Sequence, residues 1–311
     1  MGQHGGRTAA ELLGADPGRL LSSSPWATGF GLLDSHLGGG LQRGELILLG
    51  GAPGLGKTTM ALQIARSIAQ QGGDALYLCY EHSEDELLTR LLVLESGLAH
   101  PDGPALSRHP ARASRHNGGD VLLDEAVAQV RTYGSRIRFL RAFDPISGPF
   151  DPASPVGSPE CVLIVDYLQK VPGRVPDALE SERVTGVVER LKDLALRWEM
   201  PVLAIVAADR SGIDGSRLQL HDLRGSTALA YEADVALILN DKHRIVARHH
   251  LVYGNPDAVR FQDFVVCTVA KNRSGKAPVD LEMRKRFSCG CFDPEVTPVA
   301  ERLIDDRVYI D

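Results

Sequence analysis

The segment ELILLGGAPGLGKTTMALQIARSIAQQ, residues 45–71, limits the folds open to this chain more than any other feature. An apolar run ends in a glycine-rich turn, and beyond Lys57 the residues Ala61, Ile64, Ala65, Ile68 and Ala69 recur at helical spacing. A strand that feeds a tight turn and then an amphipathic helix is the first half of a strand–helix–strand crossover. Its helix returns the chain to a parallel partner strand, which places the segment in an α/β sheet.

The rest of the chain repeats the alternation. ALYLCY (75–80) reads as a second strand, followed by a helix through EDELLTRLLVLE. RIRFL (136–140), VLIVD (162–166), PVLAIVAA (201–208), DVALILN (234–240) and FVVCTVA (264–270) read as further strands. Residues 181–198 form a helix with Val184, Val187, Val188, Leu191, Leu194, Ala195 and Trp198 on one face. Strands that are apolar throughout are covered on both sides, so the expectation is a mostly parallel twisted sheet with helices on both faces. Two stretches, 96–119 and the proline-bearing 144–159, interrupt the pattern as surface excursions. Residues 1–25 read as a flexible N-terminal arm on one large domain, 26–311.

Residues 50–59, GGAPGLGKTT, satisfy G-x-x-x-x-G-K-[ST] at Gly51, Gly56, Lys57 and Thr58, in the strand-to-helix context that motif needs. Its glycines let successive N–H groups point inward at a phosphate, and the helix start adds the positive end of its dipole. The expected phosphate cradle is Gly51, Ala52, Pro53, Gly54, Leu55, Gly56, Lys57, Thr58 and Thr59. Lys57 supplies a point charge to the β/γ oxygens, and the Thr58 hydroxyl is a ligand for Mg2+. Asp166, at the end of another apolar strand, is expected to hold the same ion through water; taken alone it is equally a helix cap. Tyr167, and no second acid, follows it. The acid that activates water is therefore sought elsewhere on the carboxyl edge of the sheet, where ligands of open α/β sheets bind. Glu81 directly follows an apolar strand and is expected to do this work. Glu84, Asp85 and Glu86 come within the next helical turn and read as acids favoured by its dipole.

In motif order the chain resembles the RecA-fold motor domain of DnaB-type replicative helicases over about residues 27–275. The carriers are TGFGLLDSHLGGGLQRGELILLGGAPGLGKTT, YLCYEHSEDELLTRLL, VLIVDYLQ, DLRGSTALAYEADV and VAKNRSG. It is more distantly similar to the RadA and KaiC branches. The resemblance implies a RecA-like P-loop NTPase using ATP and Mg2+, acting on single-stranded DNA as a hexameric ring. In that family the water-activating acid ends the strand next to the phosphate-loop strand, which matches Glu81. The family completes its site from the neighbouring subunit with a K-x-R pair, matching Lys271 and Arg273, and such an arginine stabilises charge developing on the γ-phosphate. Two departures stand out. The polar γ-phosphate sensor of the family falls on Ala207, which has no group to bond a phosphate. In the DNA-loop segment Arg224 matches, but the usual following Glu and Gly are Gly225 and Thr227. The family's N-terminal helical domain also has no counterpart in residues 1–25, so partners met through it are not carried over.

A net charge of −6 gives no long-range attraction to nucleic acid, so any such contact must be local. Two loops offer it: 169–183, with Lys170, Arg174 and Arg183, and 209–226, with Arg210, Arg217 and Arg224. The run at 242–256 is the most basic and reads as a solvated hairpin, its adjacent His249 and His250 pointing to opposite faces. The five cysteines include SCGC, which lacks the partners of a structural zinc site. An odd count without a framework fits a reducing cytosol, and no apolar run approaches the ~18 residues of a membrane span. The expectation is a cytoplasmic ATP-hydrolysing motor. Two other readings are a nucleotide-switched regulatory or scaffold ATPase, favoured by Ala207 and the acidic balance, and a RadA-like recombination-accessory ATPase.

Overall fold

A computed structural model describes residues 24–107, 119–141, 160–173, 178–209, 217–225, 227–247 and 257–304, with 9–10 and 212 as isolated positions. In chain order the principal elements are α1 (Gly31–His36), β1 (Leu46–Gly51), α2 (Lys57–Gln70), β2 (Asp74–Cys79), α3 (Glu84–Ala99) and α4 (Gly119–Tyr133). β3 (Ile137–Arg141), β4 (Cys161–Asp166), α5 (Glu180–Trp198), β5 (Val202–Ala207), α6 (Ala228–Glu232) and β6 (Val235–Asp241) follow. A helical turn α7 (Lys242–Ile245) precedes β7 (Phe264–Asn272), β8 (Val279–Arg286) and β9 (Cys291–Pro298).

The nine strands among the described residues form one sheet in the order β3-β2-β4-β5-β1-β6-β7-β8-β9. From β3 to β6 the neighbours are parallel, and β7, β8 and β9 are added antiparallel. The alternation of side chains explains why the parallel strands are apolar throughout. Ile47, Leu49, Tyr77, Ile164 and Ile205 join the core under α2 and α3. Leu46, Leu48, Leu76, Leu163 and Val165 join the opposite core, with Val184, Val187, Val188 and Leu191 of α5. The strand pattern that stops at residue 270 misses β8 and β9. β8 interleaves Asp280, Glu282 and Arg284 with buried Leu281 and Met283, as a strand covered on one face does, and β9, the edge strand, carries Pro294 and Pro298.

One surface expectation is overturned. The 242–256 segment does not begin as a solvated hairpin: Lys242 opens α7 and is 2% exposed, salt-bridged to Glu282 and at 2.6 Å to Glu301. A buried ammonium needs such partners, and residues 40 and more positions away supply them. His249 and His250 lie outside the described residues, as do Arg174, Arg210, most of the 1–25 arm and the proline-bearing stretch. Among the described residues no helix is long and apolar enough to cross a membrane. Burial raises the thiols of Cys161 and Cys291 to about 11 and that of Cys267 to about 12, so these behave as small apolar side chains.

Candidate active site

The carboxyl ends of β1, β5, β4 and β2 share one edge of the sheet, with Gly51 opposite Ala207 and Cys79 opposite Asp166. A cavity of about 680 Å3 opens there, lined among others by Lys57, Thr58, Glu81, Arg90, Asp166 and Ala207. The phosphate loop forms its floor. Gly56 caps α2 with a left-handed backbone (φ 87°), and a Cβ added there would lie 2.6 Å from Phe287 and 2.7 Å from Phe292. Only glycine satisfies both the dihedral and the space. Lys57 Nζ donates to the Gly51 and Ala52 carbonyls at 2.7 and 3.0 Å. Burial lowers its pKa, against the opposing fields of Asp166 and Glu81, so the Glu81 charge is felt at the ammonium.

Asp166 is buried, and its Oδ2 accepts from Thr58 Oγ1 and from Tyr77 Oη, both at 2.9 Å. Burial raises its pKa, and the two hydrogen bonds hold it back. A hydroxyl and a carboxylate side by side at the start of a helix are a hard-oxygen pair that suits Mg2+.

Glu81 is exposed and lines this cavity, but its strand does not lie beside the phosphate-loop strand as expected: β5 and β4 stand between β1 and β2. The crossover through α2 carries the chain over both before it re-enters the sheet. The Thr58–Asp166 bond spans β5 in the same way, and β5 ends in Ala207. Glu84, Asp85 and Glu86 do occupy the first turn of α3, capped by Ser83 Oγ accepting from the Glu86 N–H at 3.2 Å.

Sequence reasoning missed Arg90, Phe287 and Ser288 in this cavity. Arg90 donates to Glu86 at 2.7 Å, and an acid–arginine pair one turn apart reads from sequence as ordinary helix surface. An adjoining cavity of about 650 Å3 shares Pro53, Gly54, Phe287 and Ser288 and is also lined by Asp241, Arg244 and Lys285.

Lys271 and Arg273 lie at the other edge of the sheet. β7 runs antiparallel to β6, pairing Asn272 with Val235, whereas Gly51 pairs with Leu239. That register separates Arg273 from its own phosphate loop by on the order of 13 Å along the strands. Lys271 Nζ donates to the carbonyl of Ala230 at 2.7 Å and also to that of Ala233. Arg273 donates to the Tyr231 carbonyl and, at 3.3 Å, to Asp234.

The model of the DnaB-like helicase C terminal domain family matches residues 26–102 and 159–289, a span that includes the loop, Glu81, Asp166, Ala207, Lys271 and Arg273. The chain belongs to that family. It is 30% identical over 222 residues to the replicative DNA helicase DnaB of Treponema pallidum (strain Nichols), a match over 69% of this chain and 47% of that one. To DnaB of Geobacillus stearothermophilus it is 27% identical over 278 residues, 84% of this chain and 55% of the other. The chain thus spans about half the length of the curated relatives it matches. Its fold is that of the ATPase domain of G40P, with a TM-score of 0.70 at 18% identity over 93% of this chain and 98% of that one.

Within this DnaB-like domain the basic residues of the two loops have separate fates. Arg217 donates to Asp280 at 2.5 Å and to Thr268, as an internal ion pair with its side chain 14% exposed. Arg183 is in α5 and donates to the carbonyls of Gln169 and Val171. Arg224 and Lys170 are exposed, Arg224 resting on Glu180 at 2.9 Å. Gly225 follows Arg224 where the resemblance leads one to expect Glu, because a Cβ there would meet Val184 at 2.7 Å.

Proposed function

We propose that this DnaB-like domain hydrolyses ATP with Mg2+ and uses the cycle to move on single-stranded DNA as one subunit of a hexameric ring in the cytoplasm. The observation that carries the reading is the convergence of Lys57, Thr58, Asp166 and Glu81 on one cavity, with Lys271 and Arg273 at the opposite edge. Gly51–Thr59 cradle the phosphates, and Lys57 meets the β/γ oxygens. Thr58 and Asp166 would hold the ion, and Mg2+ there would supply neutralising charge at the phosphoryl oxygens. Glu81 orients the attacking water and takes up its proton. The adjoining cavity beside Phe287 and Arg244 accommodates the base and ribose. Arg273 is out of reach of its own chain's nucleotide, so it serves the nucleotide of the next subunit, with Lys271 beside it.

Strand binding is supported by the relatives, named as replicative DNA helicases, and by exposed Arg224. A second reading, a nucleotide switch without translocation, is favoured by Ala207, which lines the cavity and brings no polar side chain to it. ATP turnover with and without single-stranded DNA separates them. Stimulation by the strand is the outcome for a motor; ATP binding with turnover indifferent to the strand sinks the motor and leaves the switch.

A further inference from the structure

Gln169 lies three residues beyond Asp166, in the 3-10 turn Leu168–Lys170, and is 6% exposed. Both arms of its amide are engaged. Oε1 accepts from the Ala207 N–H at 3.1 Å, and Nε2 donates to the Arg224 carbonyl at 2.7 Å. The Arg224 N–H in turn donates to the Ala207 carbonyl at 2.9 Å, which closes a three-cornered set of bonds. α5 braces it from outside. Arg183 donates to the Gln169 carbonyl at 2.5 Å, and Glu180 holds the Arg224 guanidinium at 2.9 Å.

Ala207 ends β5, between the phosphate-loop strand and the strand of Asp166, and has no side-chain polar atom. Its backbone is nevertheless read by a buried amide that belongs to the same turn as the ion-holding carboxylate. We propose that Gln169 is the positioning residue that couples the nucleotide cavity to the Arg224 loop, through a strut to the backbone of Ala207, where the side chain offers no polar atom. This deepens, and rests on, the reading of the cavity as an ATP site. A shift of Asp166 on nucleotide binding carries the turn with it. Because a buried amide left unpaired is costly, Ala207 and Arg224 follow Gln169 and keep their bonds. Oε1 ties the turn to β5 and Nε2 ties it to the loop; the backbone bond from Arg224 to Ala207 joins those two to each other but not to the turn, so Nε2 is the loop's one direct tie to Gln169.

Hydrogen exchange over residues 217–225 tests the coupling, in the full chain with and without Mg2+ and a slowly hydrolysed ATP analogue. Gln169→Met keeps the shape and removes both bonds, and Gln169→Glu keeps the acceptor for Ala207 but loses the donor to Arg224. In the wild type the analogue changes exchange of the Arg224 amide. In both variants that response is lost, while affinity for a fluorescent ATP analogue and the thermal midpoint show a bound, folded protein. A merely packing role for Gln169 leaves the response intact in Gln169→Met, and that result overturns the proposal. So does a wild type that binds nucleotide without any response, or a Gln169→Glu variant that responds like wild type. Failure to bind nucleotide at all removes the ATP reading and this inference together. Turnover gives a second arm: stimulation by single-stranded DNA falls about fivefold or more in Gln169→Met, while unstimulated turnover stays within about twofold.

Discussion

Replacing Tyr77 by Phe deletes one oxygen from the buried strand β2 and tests how Asp166 is held. Tyr77 is fully buried, packs edge-on against Phe139 at 6.0 Å, and donates to Asp166 at 2.9 Å. Asp166 is 1% exposed, so solvent screens little of the bond. A hydrogen bond to an ionised carboxylate contributes about 1.5–3 kcal/mol, and one to its neutral form about 0.5–1.5. The difference of about 1 kcal/mol or more, at 1.36 kcal/mol per unit, moves the carboxyl by roughly 0.7–1 pH unit. The direction is upward. Burial already holds the Asp166 pKa above its ordinary value, and the Tyr77 bond is one of two that hold it back. A carboxyl raised in the folded state stabilises fully below its unfolded pKa and loses that contribution as pH rises through its folded pKa. The deficit of Tyr77→Phe therefore grows with pH, from about 0.5–1.5 kcal/mol in acid to about 1.5–3 near neutrality. Holding Mg2+ needs the ionised form, so the acid limb of kcat/KM moves to higher pH by up to about one unit. Urea unfolding at several pH values and a kcat/KM profile measure the two effects. A deficit independent of pH, or an acid limb that stays put or moves down, refutes the reasoning.

Glu81→Gln lowers turnover by about 10²–10⁴-fold and leaves ATP binding in place, as single-turnover kinetics beside a binding titration will show; wild-type turnover removes Glu81 from the mechanism. Mixing Arg273→Ala chains into wild-type protein depresses turnover more than in proportion to their share, whereas simple dilution shows that Arg273 serves no neighbour. Lys242→Met leaves Glu282 and Glu301 without their buried cation and destabilises the fold by about 3–5 kcal/mol in urea unfolding; a change below about 1 kcal/mol places the ammonium in solvent.

Much of the parallel sheet was legible because its strands are apolar on both faces and separated by amphipathic helices. The loop was legible because so few backbones curl around a phosphate. Lateral order was not. Nothing in the run ALYLCY says that β4 and β5 separate it from β1, since hydrophobic periodicity records which faces are covered and not which strand lies alongside. Ion pairs made at long range were equally hidden. Arg217 reads as a loop cation until Asp280 is brought beside it, and Lys242 as a solvated one until Glu282 and Glu301 close over it. Arg90 was obscured for the opposite reason, its local partner Glu86 giving it an ordinary explanation.

The aromatic floor beneath Gly56 has a consequence for the order in which the protein is made. Phe287 and Phe292 form the surface on which the turn at Gly56 rests, and Phe292 exchanges two backbone–amide hydrogen bonds with Gln63 of α2, both 3.1 Å long and 229 residues apart in sequence. A ribosome therefore finishes the phosphate loop as a polymer well before it is complete as a structure, which waits for β9 to emerge. Contacts so distant form late. The nascent chain carries its most recognisable motif for more than two hundred residues of synthesis without the floor that shapes it, and the capacity to grip nucleotide waits for Phe292.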